Sequence, residues 1–215
     1  MDAVVENFGI LWSGFLRTLS LLGIGAAGAL VLGKIVAGMR VSPIAPLRAV
    51  AAAYTETFRN IPLTLVLFGC AFVLPYLGSP LDYFTLACIG LIAYTSPFIA
   101  EAIRSGINGI PVGQAEAARS IGLGFGQTLA LVVLPQAIRM VIPPIINVLI
   151  ALTKNTSVAG GFFVIELFAS GRRVINLRGD ETIAILLSVA VFYLVVTVTL
   201  GLIAGAVERR VAVLR

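Results

Sequence analysis

Histidine is absent from this 215-residue sequence, charged residues make up only 12% of it, and cysteine occurs twice. Without histidine, the chain lacks the most common general base and a frequent zinc or haem ligand. Cys70 and Cys88 form no CxxC pair, so neither a disulfide framework nor a structural zinc site is indicated. We therefore predict no catalytic residue and no metal site.

Signature motifs of hydrolases and nucleotide-binding proteins are also missing. The sequence contains no GxSxG or HExxH, which argues against a membrane-embedded enzyme, and no phosphate-cradling GxxxxGK[ST]. The net charge is +5, but the basic residues stand singly between apolar runs, without an interleaved aromatic patch. Such spacing is typical of membrane anchors rather than of a nucleic-acid-binding surface.

Apolar residues dominate what is present. They make up 59% of the chain, against roughly half in a soluble domain, and a membrane helix needs about 20 of them in succession. We predict a single all-α, polytopic domain covering residues 1–215, with the fourth span beginning at Pro135 or shortly after it. The five predicted spans cover residues 10–37, 56–77, 84–104, 135–152 and 182–207.

The basic residues near the span ends predict the orientation. With five spans, ten Lys and Arg fall on one side of the membrane and five on the other. The positive-inside rule then places the N-terminus outside and the C-terminus in the cytoplasm. Residues 105–134, a Gly-rich loop with short helices, would also be cytoplasmic.

One element of that loop is predicted to be a short helix. Residues 111–122 read PVGQAEAARSIG, with a proline suited to a first turn and Gly122 suited to a left-handed helix end. Small alanines allow close approach to a partner, and Glu116 and Arg119 provide charge for pairing. The alternative is a compact turn packed under the bundle.

This segment resembles the EAA motif of permease subunits of ATP-binding-cassette importers, in its Glu116-Ala117-Ala118, Gly122 and Pro135. The resemblance covers most of the chain and is closest to the polar amino acid uptake branch, in particular to actinobacterial glutamate permease subunits. Segments similar to that branch are Met39 to Pro43, Phe58 to Thr64, Arg104 to Ile107, Leu134 to Ala137 and Ala151 to Thr156.

The resemblance implies a MetI-like permease fold in a bacterial plasma membrane and a non-catalytic subunit of an amino acid importer. It implies as partners a cytoplasmic ATPase that binds ATP and Mg, a second permease chain that is either a paralogue or an identical copy, and an extracytoplasmic solute-binding protein. No cofactor is expected in this chain. Residues with an implied role in coupling to the ATPase are Glu116, Ala117, Ala118, Arg119, Gly122 and Pro135.

Intramembrane polar residues are costly, so those near the span ends are candidates for the substrate path. For each there is a structural alternative: a helix terminus for the cluster at 154–157, an interfacial anchor for Arg59, and hydroxyls bonded to their own helix for Thr95 and Ser96. A self-contained secondary transporter or channel, or a scaffold, would be the alternative functions. The candidates are Arg59, Thr95, Ser96, Lys154, Asn155, Thr156 and Ser157.

Overall fold

The computed structural model describes residues 2–212, with their side chains except those of residues 208 and 210–212. Over this range the secondary structure is helical and contains no strand, which confirms the predicted all-α class. Met1 and residues 213–215, which include one of the basic residues counted for the orientation, lie outside the described range.

The helices are numbered here in chain order. A π-helical turn interrupts α4 at Gly69–Val73 and another interrupts α7 at Thr128–Val133. The helices are α1 (Asp2–Glu6), α2 (Phe8–Val41), α3 (Ala45–Asn60), α4 (Leu63–Tyr76), α5 (Tyr83–Asn108), α6 (Val112–Ser120), α7 (Phe125–Gly161), α8 (Leu167–Leu177) and α9 (Thr182–Ala212).

Four of these helices, α2, α5, α7 and α9, are long and apolar enough to cross a membrane, and α3 with α4 forms a fifth unit bent by 103°. The bend falls at Pro62, and the preceding Ile61 is extended, with φ −100° and ψ 147°. A residue before proline is forced out of the helical region, so the break is encoded locally. The second predicted span, residues 56–77, therefore contains a sharp corner.

Helix α7 begins at Phe125, before the point at which the fourth span was expected to begin. Pro135 is two positions after the π-helical turn that ends at Val133, as the second residue of the regular helix Leu134–Asn155. Because proline donates no backbone hydrogen bond, it fits where the bonding pattern already shifts register. Pro135 thus lies inside a longer helix instead of starting it.

Helix α2 packs along α5, and glycines make their close approach possible. A Cβ at Gly28 would overlap Ile92 Cδ1, and one at Gly33 would lie 2.7 Å from Ile99 Cγ2 and 3.0 Å from the Ser96 carbonyl. Leu21, Leu91 and Leu152 fill the neighbouring core and bring α7 into the same cluster. Small residues at such contacts are typical of helix packing in membranes.

The outward faces of α2 and α9 are apolar and exposed in the isolated chain. In the 18-residue hydrophobic segment of α9 only 11% of the residues are buried. A helix that is apolar on all sides is stable only in an apolar surrounding, which the bilayer supplies. Large exposed side chains on these two helices include Leu16, Ile24, Val31, Ile35, Leu187, Val191, Leu194 and Leu202.

A buried carboxylate that the sequence did not reveal joins three helices. Glu166 is fully buried and caps α8 by accepting hydrogen bonds from the Phe168 and Ala169 N–H groups, both at 2.8 Å. Tyr193 of α9 donates to it at 2.8 Å, and Thr18 of α2 donates at 3.4 Å. Burial raises the pKa of this carboxyl, while the two backbone bonds oppose the rise.

Substituting Gly33 tests the close approach of α2 and α5. We expect Gly33→Ala to lower the unfolding free energy by roughly 1–3 kcal/mol, because the added methyl group meets Ile99 and a backbone carbonyl. The matched control is Gly23→Ala on the same helix, where a Cβ meets nothing within 4 Å. Thermal unfolding of the two purified variants measures the difference, and equal midpoints would contradict this account of the packing.

Candidate functional site

The predicted helix at residues 111–122 is present as α6, a separate element between α5 and α7. Pro111 precedes its first turn with φ −55° and ψ 133°. Gly122 has φ +89°, the left-handed conformation expected of it, and the Leu123 N–H donates to the Ala118 carbonyl at 3.1 Å. This bond is typical of a glycine-terminated helix, and it turns the chain toward α7.

The two faces of α6 differ in what they present. Glu116 and Ala117 are exposed, whereas Ala118 is 4% exposed and packs within the chain. Of the two alanines expected at a partner surface, only Ala117 is thus available to one. Arg119, although exposed, is on the side that lines a cavity against the bundle, and the exposed Pro135 lies beyond α6 in α7.

Three arginines from three helices converge on one carboxylate, Glu101 of α5. Its oxygens accept from Arg40 of α2 at 3.0 Å and from Arg104 of α5 at 2.8 Å, and Arg59 of α3 approaches to 3.6 Å. The Glu101 side chain is 14% exposed. Arg104 is three positions after Glu101, a spacing at which helix side chains pair, but pairing with Arg40, 61 positions away in the chain, has no sequence signal.

A cavity of about 410 Å³ lies between α5 and α7 and contains two of the predicted path residues. Thr95 and Asn155 both line it, together with Asn147, which the sequence analysis did not single out. The Thr95 hydroxyl is buried and has no hydrogen-bond partner among the described residues. Aromatic and aliphatic side chains complete the lining, namely Tyr94, Phe98, Val148 and Ala151.

The other candidate residues are not brought into this cavity. Ser96 pairs with the Tyr54 hydroxyl of α3 at 2.8 Å, so it connects two helices instead of bonding to its own. The Thr156 and Ser157 hydroxyls donate to carbonyls three residues earlier, as helix-end side chains do. Lys154 is exposed beside them.

Arg59 lies one side chain away from the cavity. Its guanidinium carbon is 5.8 Å from the ring centroid of Phe98, a residue of the cavity lining. Cation–π contact and the Glu101 carboxylate together hold this cation near the cavity without placing it inside. In residues 2–212 no group of His, Cys, Asp or Glu is arranged to hold a metal.

These features define a class of protein. An uncharged cavity with three polar side chains lies between two apolar helices, and a short charged helix connects these two helices in the chain. Such an arrangement suits a membrane permease whose helices are moved from one side by a partner.

The comparison with known proteins identifies the family. Residues 29–213 match the family described as binding-protein-dependent transport system inner membrane components, and the chain belongs to that family. It is therefore a membrane component of a transport system with several components. The resemblance to importer permease subunits that the sequence indicates is confirmed. Membership also favours a permease subunit over a self-contained secondary transporter, channel or scaffold.

Similar proteins carry names of amino acid permeases. The chain is 42% identical to the glutamate transport system permease protein GluC of Corynebacterium glutamicum, over 94% of each chain. It is 41% identical to the probable glutamine ABC transporter permease protein GlnM of Bacillus subtilis, over 98% of this chain and 97% of that one.

Solved structures support the same fold. A chain from a crystal structure of an amino acid ABC transporter with histidines superposes with a TM-score of 0.90 at 28% identity, over 96% of each chain. A chain of the MetNI methionine ABC transporter in an inward-facing conformation gives 0.80 at 23% identity, covering 94% and 96%. The predicted MetI-like permease fold, with α6 between the third and fourth spans, is confirmed.

Removing the central carboxylate tests the arginine cluster. We expect Glu101→Gln to lower the unfolding free energy by roughly 1–3 kcal/mol, because Arg40, Arg59 and Arg104 then repel one another without a counter-charge. Glu56→Gln, at an exposed position of α3, serves as the control and should leave the thermal midpoint unchanged. A stable Glu101→Gln protein would show that the cluster does not hold the three helices together.

Proposed function

We propose that the chain is one of two permease subunits in an ATP-driven importer of polar amino acids, with glutamate as the cargo. The observation that carries the proposal is the protruding helix α6, with Glu116 and Ala117 exposed and a left-handed Gly122 at its end. Relatives named for glutamate and glutamine transport support the class of cargo.

The proposed mechanism transmits motion through α6. A cytoplasmic ATPase receives α6 in a surface groove, with Glu116 as the charged contact and Ala117 as the close-packed one. Because α6 is connected to the end of α5 and the start of α7, its displacement moves both helices. These helices line the polar cavity, so closure of two ATPases on ATP changes access to it.

The remaining parts of the importer follow from this arrangement. ATP and Mg bind to the ATPase, and an extracytoplasmic solute-binding protein delivers the amino acid. The ten-to-five distribution of basic residues supports an outer N-terminus and a cytoplasmic α6. The second permease chain would cover part of the exposed apolar surface of this one.

The cavity between α5 and α7 is the proposed resting place of the cargo. Asn147 and Asn155 offer amide groups that suit the polar atoms of an amino acid, and Thr95 has a hydroxyl, unpaired among the described residues, that is buried in the cavity wall. No charged side chain among those described lines the cavity. The Arg59 guanidinium contacts Phe98 of the lining from outside the cavity, and its positive charge favours a negatively charged cargo nearby. This combination accounts for glutamate as a cargo better than for a cationic amino acid.

Substitutions at Gly122 test the coupling role of α6. Gly122→Val places a β-branched residue at φ +89° and strains the turn by about 1 kcal/mol or more. We expect ATP-driven uptake to fail in proteoliposomes that contain the complete transporter, while membrane insertion remains intact.

Gly122→Asn is the matched control, since asparagine tolerates this conformation, and it should retain most of the uptake. Uptake by the unmodified transporter should require ATP and the separate ATPase chain. Normal uptake by Gly122→Val, or uptake without an ATPase, would contradict the proposed function.

Thr95→Val tests the cavity. The substitution keeps the shape of the side chain and removes a hydroxyl that has no described partner, so thermal stability should be unchanged or higher. If that hydroxyl binds cargo, the substrate concentration for half-maximal stimulation of ATP hydrolysis rises about tenfold. The amino acids that stimulate hydrolysis in the complete transporter identify the cargo.

Thr199→Val on α9 is the control, because that hydroxyl bonds to the Val195 carbonyl of its own helix. Lys154→Ala tests whether the exposed lysine attracts the carboxylate of the cargo, and reduced glutamate uptake is expected from it. Unchanged half-stimulation in Thr95→Val would remove the hydroxyl from the cargo site, and unchanged uptake in Lys154→Ala would remove the lysine from the path.

A further inference from the structure

A second cavity, of about 480 Å³, separates α6 from the bundle. Val112, Ala115 and Arg119 line it from α6, at the spacing of a single helix face. Neither Glu116 nor Ala117 lines the cavity, so it lies beside the proposed ATPase contact and does not include it. It has no role in the coupling described above.

The cavity is strongly basic. Arg40 of α2, Arg104 of α5 and Arg119 of α6 all line it, and no aspartate or glutamate does. Glu101 contacts Arg40 and Arg104 but also faces Arg59, so one carboxylate is shared among three guanidinium groups. A net positive charge is left facing the cavity, and guanidinium groups pair closely with phosphate oxygens.

The position of the cavity matches the surface of a bilayer. It is bordered by Val41 at the end of α2, Asn108 at the end of α5 and Phe125 at the start of α7. At 1.5 Å per residue, α2 and α5 are about 51 Å and 39 Å long, more than the roughly 30 Å of hydrocarbon they cross. Their ends therefore reach the level of the lipid headgroups.

The rest of the lining is apolar. Ile107, Leu129 and Val133 lie on the bundle side, opposite the arginine of α6. Inorganic phosphate or a free nucleotide would leave these side chains against water, whereas the glycerol backbone and first methylene groups of a lipid would cover them. The chemistry of the lining thus combines a phosphate site with an acyl-chain site.

We propose that this cavity binds the headgroup of an anionic phospholipid from the leaflet on the α6 side. Basic pockets between the ends of membrane helices recognise such headgroups. A lipid here touches α6 and the bundle at once, so its phosphate holds Arg119 toward Arg40 and Arg104. Occupancy then stabilises one position of the coupling helix. Neither the nature of the cargo nor the direction of transport enters this inference.

Lipid retention by the complete transporter provides the test. The complex is reconstituted in nanodiscs with equal amounts of phosphatidylglycerol and phosphatidylcholine, and the lipids bound after extraction are counted by native mass spectrometry. We expect the unmodified protein to retain phosphatidylglycerol preferentially. Arg119→Gln should weaken that retention about fivefold, the effect of one cation near a charged headgroup.

Two further variants distinguish the effect of the arginine charge from the effect of the cavity volume. Ala115→Leu keeps every arginine but fills part of the cavity, and it should also reduce retention of phosphatidylglycerol. Arg139→Gln is the matched control, because Arg139 is an exposed arginine of α7 that does not line the cavity. Retention by this control should equal that of the unmodified protein.

The proposal is overturned if Arg119→Gln retains phosphatidylglycerol as well as the unmodified protein, or if Arg139→Gln loses it equally. A soluble phosphate as the occupant would show itself in pure phosphatidylcholine discs, where inorganic phosphate would raise the thermal midpoint of the unmodified protein but not that of Arg119→Gln. That outcome also overturns the lipid assignment. Uptake is measured separately, so failure here leaves the transport function untouched.

Discussion

The Glu101 carboxylate is the interaction on which the coupling end of the molecule depends. It lies near the end of α5 and pairs with arginines of α2, α3 and α5 itself. Three helices that are separate in the sequence are therefore held together near the end of α5 that leads into α6. The Glu101 carboxylate is tolerated in a largely apolar bundle because several arginines pair with it. Because three arginines surround this one carboxylate, the cluster carries a net positive charge.

Rigid packing and irregular backbone are distributed differently along the chain. Helices α2 and α5 run without a break and approach closely at glycines, although α5 contains Pro97. Helices α4 and α7 each contain a π-helical turn, and α7 also carries Pro143 and Pro144 within its regular part. Such sites are where a helix bends most readily. Helix α7 directly follows α6 in the chain, so a displacement of α6 acts on a helix that bends readily.

The amphipathic organisation of α6 separates two kinds of contact on one short helix. Glu116 and the small Ala117 are exposed to a partner, while the adjoining face carries Arg119 beside a basic cavity. A partner and an anionic ligand can therefore act on the same element from adjoining sides. Since α6 joins the ends of two cavity-lining helices, either contact bears on access to the polar cavity.

Local patterns in the sequence determined the helical class, the apolar segments, the short helix at 111–122 and the left-handed Gly122, because each depends on residues close in the chain. The sequence predicts the start of α7 too late, because Pro135 suits a helix start although a π-helical turn continues the helix before it. Only the tertiary structure decided that Arg40 and Arg59 meet Glu101, that Ala118 faces inward, and that Glu166 caps α8 while binding Tyr193. These contacts join residues up to 61 positions apart, and such pairings arise from packing in three dimensions, which no local period records.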